Sequence, residues 1–352
     1  MIRLKNQTIL VTGCPGFIGA ALVMELIKRF NPSCVISVDN LNNYYERGLK
    51  DYRLKLIEDL ARKKKVRHIF LKGSVEKYSF VKEIFKKYRP SVVVHLAAQA
   101  GVRYSIKHPQ VYVKSNIIGF FNILEACRYF PVEHLVYASS SSVYGGNTHI
   151  PFSVDDKVDH PVSLYAATKK SDELFAYAYS KLYNIPSTGL RFFTVYGPAG
   201  RPDMFYYSAV KTLLDGGTIK VFNYGNCERD FTYIDDIVEG VIRVAQRPPV
   251  PKSDENGMAM PPYALYNIGG GTPVNLLDFI TVLQEELVKA KMLPSNYDFD
   301  AHREFVGMQP GDVPVTFADS SALEKEFGFT PKIDIRTGLR AFIKWYKSYY
   351  GI

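Results

Sequence analysis

The chain has 352 residues, of which 47% are hydrophobic and 22% are charged, and its formal net charge is +9. This composition is typical of a globular enzyme and excludes an intrinsically disordered chain. No apolar run approaches the about 20 residues that span a bilayer, so we expect no membrane segment. The first residues lead directly into a predicted strand, so we expect no signal peptide, and the length suffices for two lobes.

The positive charge is scattered along the chain, apart from the cluster Arg62–Lys65. That cluster closes a predicted helix, where cations suit the helix dipole. We therefore expect no nucleic-acid partner, and we expect some of the cations to serve a small anionic substrate. The four cysteines, Cys14, Cys34, Cys127 and Cys227, lack metal-ligand spacing, so no metal site is predicted. Unpaired cysteines suit a reduced, cytoplasmic location.

The first elements form a strand–loop–helix–strand unit. Thr8–Thr12 is a β-branched apolar run that predicts a buried strand, and residues 20–30 predict a helix. Between them lies a GxxGxxG loop, whose glycines permit a tight turn and a close approach to a pyrophosphate on the helix N-terminus. Asp39 follows the second apolar run, 34–38, where a carboxylate bonds an adenosine ribose and repels a 2′-phosphate. This unit predicts a dinucleotide site and favours NAD over NADP.

The rest of the first half repeats the alternation. Further predicted elements are the strands 66–71, 91–96 and 132–138 and the helices 76–88, 107–129 and 163–183. Strands that alternate with helices predict an α/β fold, with a doubly wound parallel sheet of the Rossmann type. Ligands of such sheets lie at the carboxyl ends of the strands. Residues 97–99 and 139–142 follow predicted strands, so we expect one cleft to collect them with the glycine loop and Asp39.

Tyr165 and Lys169 lie four residues apart in a predicted helix, so both side chains project from one face. A tyrosine is a weak base at neutral pH, and a nearby lysine cation favours the phenolate. A hydroxyl from the serine run 139–142 can bond the same substrate oxygen. Together these groups can move a proton on an alcohol or a ketone. An isolated YxxxK pair is more often part of a solvated helix face, but the dinucleotide unit argues for the functional interpretation.

These motifs together resemble those of the extended short-chain dehydrogenase family of nucleotide-sugar enzymes. The resemblance covers essentially the whole chain and depends on GxxGxxG, SSSSVYG, YxxxK and the later RFFTVYGP and RDFTYIDD segments. Several stretches resemble the UDP-glucuronate 4-epimerases in particular. These stretches are residues 97–105, 160–165, 191–198, 200–204 and 308–314.

The resemblance implies reversible 4-epimerisation of a UDP-sugar acid, UDP-glucuronate to UDP-galacturonate, through a transient 4-keto sugar with NAD bound throughout. Tyr165 then matches the catalytic base and Lys169 the residue that holds the nicotinamide ribose. Ser140 matches the hydroxyl that bonds the reacting oxygen, and Ser141 and Ser142 are further catalytic candidates. At least one serine of this run is expected only to satisfy backbone groups at the strand end.

The motifs and the resemblance also indicate which residues bind the cofactor. These residues are Gly13, Gly16, Phe17, Ile18, Gly19, Asp39, Asn40, Ser74, Val75, Leu96, Ala97, Ala98, Gln99, Asn116, Tyr165, Lys169, Phe192 and Val195. One of them departs from the family pattern, since many relatives carry an aspartate where this chain has Ser74. We therefore expect the adenine to be held less firmly and NAD to be partly lost on purification.

A second set of residues is indicated for the substrate. These residues are Arg103, Thr194, Arg201, Phe222, Arg229, Gln309 and Asp312. By resemblance, Arg229 binds the diphosphate, to which a guanidinium fork is suited, and Asp312 contacts the uridine ribose. Thr194 and Arg201 are the candidates for reading the glucuronate carboxylate. The alternatives are a surface arginine in a Gly/Pro turn for Arg201 and a structural salt bridge for Arg103.

We expect an NAD-binding domain at 1–190 and a smaller mixed UDP-sugar lobe at 191–352, with part of 231–245 returning to the first domain. Loops are predicted at about 247–262 and 291–302. Asp235 and Asp236 are interpreted as the polar start of a helix. The predicted helices 107–129 and 163–183 resemble the pair through which this family dimerises as a four-helix bundle, which implies a homodimer.

Three alternative functions stay open. One is a 4-epimerase of neutral or N-acetylated UDP-hexoses, which differs in whether Arg201 meets a carboxylate. Another is a UDP-glucuronate decarboxylase or a dehydratase of the same family, but relatives with those activities usually carry acidic residues within the Thr/Ser segment before VYG, where this chain has only serine. The third is a non-catalytic NAD-binding protein, which has no reason to retain Tyr165, Lys169 and Ser140 together.

Overall fold

A computed structural model gives the fold and describes residues 1–254, 256–309 and 311–352. Glu255 in the predicted loop 247–262 and Pro310 in the 308–314 motif lie outside the described residues. The strands are β1 Thr8–Thr12, β2 Cys34–Asp39, β3 Arg67–Lys72, β4 Val92–His95, β5 His134–Ser140, β6 Ser187–Phe192, β7 Thr194–Tyr196, β8 Ile219–Phe222, β9 Glu228–Tyr233, β10 Lys252–Ser253, β11 Ala259–Met260, β12 Tyr263–Ile268, β13 Pro273–Asn275 and β14 Arg303–Val306. The α-helices are α1 Phe17–Phe30, α2 Arg47–Lys64, α3 Tyr78–Tyr88, α4 Val102–Lys107, α5 Pro109–Tyr112, α6 Gly119–Tyr129, α7 Leu164–Tyr183, α8 Phe205–Leu214, α9 Ile234–Ala245, α10 Leu276–Lys289, α11 Ser321–Phe327 and α12 Ile335–Tyr350.

Seven parallel strands form the central sheet in the order β12-β6-β5-β4-β1-β2-β3. Strand order reverses between β1 and β4, and the crevice at such a switch point is where doubly wound sheets bind ligands. Successive residues of β1 enter opposite layers, with Ile9 and Val11 in one core and Leu10 in the other. The predicted doubly wound Rossmann sheet is confirmed.

Helices cover both faces of this sheet. Residues of α1, α2 and α9 complete the core on one face, and residues of α3, α6 and α7 complete it on the other. The first core continues into α8, α10 and α12, where Phe279 and Phe342 are fully buried. No helix in the described part of the chain is long and apolar enough to span a membrane.

The second half adds smaller sheets, as predicted for a mixed lobe. Strand β9 pairs antiparallel with β13 and parallel with β7, and β8 pairs parallel with β14. Within the predicted loop 247–262, β10 and β11 form a short antiparallel hairpin. Strands β7, β8 and β9 and helix α8 contribute residues to the wall of the cleft described below.

The helix predicted at 107–129 is wrong in detail. It divides into α5, a π-helical turn at Val113–Ile118 and α6, and α4 precedes them. Such π turns widen a helix locally and often occur at functional sites. Here the turn contains Asn116, whose buried amide is bonded on three sides. Tertiary hydrogen bonds of that kind leave no periodic signal in the sequence.

The chain crosses between the two halves more than once. Helix α9 contacts α1 through Arg29 Nη1, which donates to Glu239 Oε2 at 2.5 Å, and the carbonyl of Ala245 lies 3.2 Å from His134 Nδ1. Strand β12, which the sequence analysis did not predict, joins the main sheet beside β6. The division of the chain at residue 190 itself stays a prediction.

Candidate active site

A cleft of about 1160 Å³ lies at the carboxyl ends of β1, β4, β5 and β6. Its wall contains every residue that the sequence analysis assigned to the site, except Asn116 and Gln309. Half-buried Gln309 stays next to the wall, because its carbonyl accepts a hydrogen bond from the amide of Asp312 at 3.2 Å. Residues far apart in the chain are therefore brought to one surface, as strand ends in a parallel sheet require.

The glycine loop between β1 and α1 is shaped by its own backbone. The amide of Gly16 donates to the carbonyl of Gly13 at 2.8 Å, and a Cβ on Gly16 or Gly19 would lie 2.5 or 2.6 Å from that oxygen. Side chains at these positions are therefore excluded. Helix α1 begins after Gly16 without a side-chain cap, which leaves its first N–H groups for an anion. This geometry fits a dinucleotide pyrophosphate.

Asp39 stands at the end of β2, where the ribose was expected. Its Oδ1 accepts hydrogen bonds from the amide of Leu41 at 2.7 Å and from Lys50 Nζ at 3.3 Å. Lys50 also donates to Asn42 Oδ1 at 3.1 Å, and its side chain is only 5% exposed. The cation beside Asp39 was not predicted. It offsets part of the negative charge on which discrimination against a 2′-phosphate depends.

Two further predicted cofactor residues have hydrogen-bond partners within the chain. The Ser74 hydroxyl accepts a hydrogen bond from the amide of Glu76 at 3.3 Å, so it stabilises its own turn. Asn116 was expected to contact the cofactor, but it lies behind the wall. Its amide accepts from Gln99 N at 2.8 Å and donates to Gln99 O at 3.1 Å and to Thr168 Oγ1 at 3.0 Å. Asn116 therefore fixes the loop after β4.

Helix α7 supplies the predicted proton-transfer pair. Ser163 caps its N-terminus by accepting from the amide of Ala166 at 3.1 Å, so the helix begins just before Tyr165. Tyr165 is half-buried and packs edge-on against Tyr112, with ring centroids 5.9 Å apart. Lys169 is buried, and its Nζ donates to the carbonyl of Ala138 at 2.8 Å. Both side chains reach the cleft wall.

The four serines at the end of β5, of which Ser139 and Ser140 are its last residues, have different contacts. The Ser139 hydroxyl is buried and donates to Glu173 Oε1 at 2.6 Å, and Glu173 also forms an ion pair with buried Arg191. Ser140 Oγ accepts from the amide of Ser142 at 3.2 Å and lies 3.1 Å from the hydroxyl of Ser142. Ser139 thus has a structural contact, and the hydroxyls of 140–142 line the cleft.

A buried carboxylate that was not predicted stands beside Lys169. Asp172 Oδ2 accepts a hydrogen bond from Lys169 Nζ at 3.2 Å, and both side chains are at most 3% exposed. Asp172 Oδ1 has no partner among the described residues. Burial raises the pKa of Asp172 to about 7, against the opposing attraction of Lys169. The net charge next to the proton-transfer pair therefore changes near neutral pH.

On the substrate side, Arg201 already has a carboxylate partner. Its Nε and Nη2 donate to Asp203 at 3.0 and 2.5 Å, and Tyr44 Oη donates to Asp203 Oδ2 at 3.1 Å. Burial acts to raise the pKa of Asp203, but Arg201 outweighs it and the pKa is lowered. No acceptor for Arg201 Nη1 lies among the described residues. That group can still meet a substrate anion, although the pair as a whole is neutral.

Two other predicted substrate residues contact each other. Arg103 Nη2 donates to Asp312 Oδ2 at 2.9 Å, and its guanidinium stands 5.0 Å from the ring centroid of Phe222. Arg229 donates through Nη1 to the carbonyls of Glu228 and Pro314, at 3.0 and 2.9 Å. Arg103 therefore forms a salt bridge, which was the alternative to substrate binding predicted for it. Both residues of this salt bridge lie on the wall of the cleft.

Three residues that were not predicted, Lys50 on the cleft wall and the buried Arg53 and Asp172, had a recognisable signal in the sequence. Lys50 and Arg53 lie in helical phase with the buried residues Leu49, Ile57 and Ala61 of α2, and cations in the apolar phase of a helix indicate internal partners. Asp172 follows Lys169 by three residues, which places both on one face of α7. Tyr44 and Asp203 had no such signal, because their contact joins distant segments.

Comparison with known proteins agrees with this geometry. Residues 9–269 match the model of a family described as the NAD dependent epimerase/dehydratase family. The chain is 47% identical over 348 residues to Protein CapI of Staphylococcus aureus, covering 97% of this chain and 99% of that protein. It is 43% identical over 357 residues to UDP-glucuronate 4-epimerase 4 of Arabidopsis thaliana, covering 98% of this chain and 76% of that protein.

A solved structure is similar over nearly the whole chain. It is the crystal structure of UDP-glucuronic acid 4-epimerase from Bacillus cereus in complex with UDP-glucuronic acid and NAD, with a TM-score of 0.83 and 31% identity. The match covers 97% of this chain and all of that chain. Because the family model matches most of the chain and the relatives match nearly all of it, the protein belongs to the NAD dependent epimerase/dehydratase family.

Proposed function

We propose that the protein is an NAD-dependent UDP-glucuronate 4-epimerase that interconverts UDP-glucuronate and UDP-galacturonate. One observation carries the proposal: the Tyr165–Lys169 pair, the serines 140–142 and Arg201 line the same cleft as the dinucleotide loop. Relatives named UDP-glucuronate 4-epimerase, at 43% identity over nearly the whole chain, support the same reaction and substrate. The alternative enzymatic reactions also need an NAD site and a Tyr–Lys pair. The experiment must therefore test whether the substrate carries a carboxylate and whether the product keeps it.

The cleft residues supply proton transfer and orientation. The phenolate of Tyr165 takes the proton from the sugar 4-hydroxyl, and the Ser140 hydroxyl bonds the same oxygen. The ammonium of Lys169 stabilises the phenolate and holds the nicotinamide ribose. A nicotinamide held by the glycine loop and Lys169 would supply reversible hydride exchange with C4, and return of the hydride to the other face of C4 inverts that carbon. Tyr165 then gives its proton back to the new alkoxide, so protons and electrons balance with no net oxidation.

The oxidised sugar acid must also be protected from losing carbon dioxide. A 4-keto glucuronate is a β-keto acid, which decarboxylates when the carboxylate bond lies perpendicular to the ketone plane. Fixed donors that hold the carboxylate away from that alignment suppress this path. Arg201 Nη1, Thr194 and the hydroxyls of 140–142 are the donors that the cleft offers. Because Asp203 neutralises Arg201, geometry contributes more to this role than long-range attraction does.

A substrate panel tests this proposal. The protein is incubated with UDP-glucuronate, UDP-galacturonate, UDP-glucose and UDP-N-acetylglucosamine in separate reactions with added NAD. We expect the two uronates to interconvert, faster than either neutral sugar reacts, with almost no UDP-pentose. Chromatography separates the epimers, and mass spectrometry detects the loss of carbon dioxide. A UDP-pentose as the main product, or a preference for a neutral sugar, contradicts the proposal.

We also propose that the protein forms a homodimer through α6 and α7. These helices pack together within the chain, yet each keeps large apolar side chains exposed: Phe121 is 42%, Leu174 is 58% and Tyr177 is 40% exposed. A second copy that covers the same faces forms a four-helix bundle. Light scattering should give twice the chain mass, and Leu174→Glu should halve it. A wild-type monomer at micromolar concentration contradicts the proposal.

A cytoplasmic location is part of the same proposal. All four cysteines are free and buried, and a reducing compartment suits free thiols. Cell fractionation should place the protein with cytoplasmic markers. Recovery with periplasmic or secreted proteins contradicts this assignment.

A further inference from the structure

Arg53 is a fully buried cation that is held without a carboxylate. Its side chain is 1% exposed and projects inward from α2. Among the described residues it forms no ion pair, and its hydrogen-bond acceptors are backbone carbonyls and one tyrosine hydroxyl. A buried charge is costly unless its hydrogen bonds are well satisfied, so such a set of acceptors indicates a specific role.

The acceptors of Arg53 belong to two loops of the cleft. Nη1 donates to the carbonyl of Pro15 at 3.2 Å, inside the dinucleotide loop. Nε and Nη2 donate to the carbonyl of Ala199 at 3.1 and 2.7 Å, and Nη2 donates to the carbonyl of Gly200 at 2.8 Å. These two residues come directly before Arg201. One planar guanidinium therefore connects the loop that receives the cofactor to the loop that carries Arg201.

The loop around Arg201 needs such a support. Ala199 has a φ of 52°, a left-handed conformation that is unfavourable for a residue with a Cβ. Residues 197–203 contain no helix or strand, so their carbonyls lack the partners that regular structure supplies. Arg53 supplies those partners with a rigid fork. A lysine has a single charged nitrogen and cannot reproduce that geometry.

We propose that Arg53 is a positioning residue for recognition of the substrate's acid group. It locks the 197–203 loop against the dinucleotide loop, and so sets where Arg201 stands relative to the nicotinamide end of the cleft. This inference rests on the proposed function, because it assumes that Arg201 meets a sugar carboxylate. Beyond the proposed function, the inference is that discrimination between acid and neutral UDP-sugars depends on Arg53, although Arg53 contacts neither kind of sugar.

Calorimetry on the NAD-saturated protein tests the proposal in a Tyr165→Phe background, in which turnover is too slow to disturb the measurement. The dissociation constants of UDP-glucuronate and UDP-glucose are measured for Tyr165→Phe alone and for Tyr165→Phe combined with Arg53→Lys or with Arg53→Met. Arg243→Lys is the matched control, because Arg243 also donates to two backbone carbonyls, of Phe327 and Gly328, but lies away from the cleft. Circular dichroism and thermal unfolding confirm that each variant is folded.

We expect Arg53→Lys to raise the dissociation constant of UDP-glucuronate about tenfold more than that of UDP-glucose, because one charge-assisted hydrogen bond is misplaced. A merely structural role, or a general loss of stability, predicts that the two dissociation constants rise by the same factor. The proposal is overturned if the ratio of the two dissociation constants does not change in folded Arg53→Lys. It is also overturned if that ratio changes by the same factor in Arg243→Lys. If the ratio changes as expected but the wild type does not epimerise UDP-glucuronate, the positioning role stands and the proposed function fails.

Hydrogen exchange on the wild type keeps the proposal testable if the Arg53 variants do not fold. NAD alone, without sugar, should slow amide exchange in residues 199–203 together with residues 13–19. Protection confined to the glycine loop overturns the proposal, because it shows that the two loops order independently. Where Arg53→Lys folds, it should retain the protection at 13–19 and lose it at 199–203.

Discussion

Asp172→Asn should shift the pH dependence of turnover towards lower pH. In the wild type, the ionised carboxylate of Asp172 offsets the positive charge of Lys169 and so opposes formation of the Tyr165 phenolate. Asparagine keeps the shape and can accept the same hydrogen bond from Lys169, but it carries no charge. The variant therefore leaves the lysine cation without the opposing charge of a carboxylate, and the phenolate forms more readily.

The magnitude follows from the helix geometry. Asp172 follows Tyr165 by seven residues on α7, which is about 10 Å along the helix axis. With an effective dielectric constant of about 20, a unit charge at that distance changes the free energy of phenolate formation by about 1.6 kcal/mol, or about one unit on the pH scale. Salt screens this effect only in part, because Asp172 is buried and Tyr165 is half-buried.

The sign depends on the protonation state of Asp172. Burial raises its pKa to about 7, so the carboxylate is charged above that pH and neutral well below it. The profiles of kcat for the variant and the wild type should therefore converge below about pH 6 and separate above about pH 7. Two neighbouring groups do not titrate in this range, because burial lowers the pKa of His95 to about 3 and raises the pKa of Tyr137 well above 10.

The assay is initial-rate epimerisation of UDP-glucuronate at saturating substrate and NAD between pH 5.5 and 9. Asp215→Asn is the control, because it removes an equal charge from the surface, where Asp215 pairs with Lys211. We expect the rising limb of Asp172→Asn to move about one unit to lower pH and the control to match the wild type. An unmoved limb, or a shift to higher pH, refutes the role assigned to Asp172.

Three further predictions concern the proton acceptor, the cofactor and the acid group. Tyr165→Phe should lower kcat by about 10²–10⁴-fold without loss of folding, the usual contribution of a general base, and near-full activity would exclude Tyr165 as that base. Ser74→Asp should lower the dissociation constant of NAD about tenfold in calorimetry through a charge-assisted hydrogen bond to the adenosine, and no change would show that Ser74 is not the cause of weak binding. Arg201→Ala should raise KM for UDP-glucuronate about tenfold more than KM for UDP-glucose and let some UDP-pentose appear. Equal effects on both sugars, with no pentose by mass spectrometry, would leave Arg201 as a surface arginine paired with Asp203.

Much of the first half of the fold could be predicted because its signals are local. Strands β1 to β5 are apolar runs bounded by turns, and each was predicted within about two residues. Strand β12 was missed, since it follows a long irregular segment and becomes a strand only by pairing with β6. The π turn at Val113–Ile118 was missed for a related reason: the bonds from Asn116 to Gln99 and Thr168 are tertiary.

In the site too, features that follow from local sequence or topology could be predicted, and contacts between distant segments could not. Residues at strand ends could be assigned to one cleft from topology alone, and nearly all of them line it. The partners of the charged residues could not be assigned, because Arg201 with Asp203 and Tyr44, and Arg53 with Ala199, depend on how distant loops meet. As a result, the ion pair of Arg201 with Asp203 was not predicted, and the role of Arg201 in reading the substrate's carboxylate stays a prediction.

The most direct test of the central claim follows the hydrogen on C4. The wild-type protein is incubated with UDP-glucuronate that carries deuterium at C4, and the UDP-galacturonate formed is analysed by mass spectrometry and NMR, with absorbance recorded for NADH. Because the hydride leaves C4 and returns to the same carbon, we predict full retention of deuterium at C4 and no net NADH. Loss of deuterium to solvent, steady NADH accumulation or release of a UDP-pentose would contradict epimerisation through a bound 4-keto sugar.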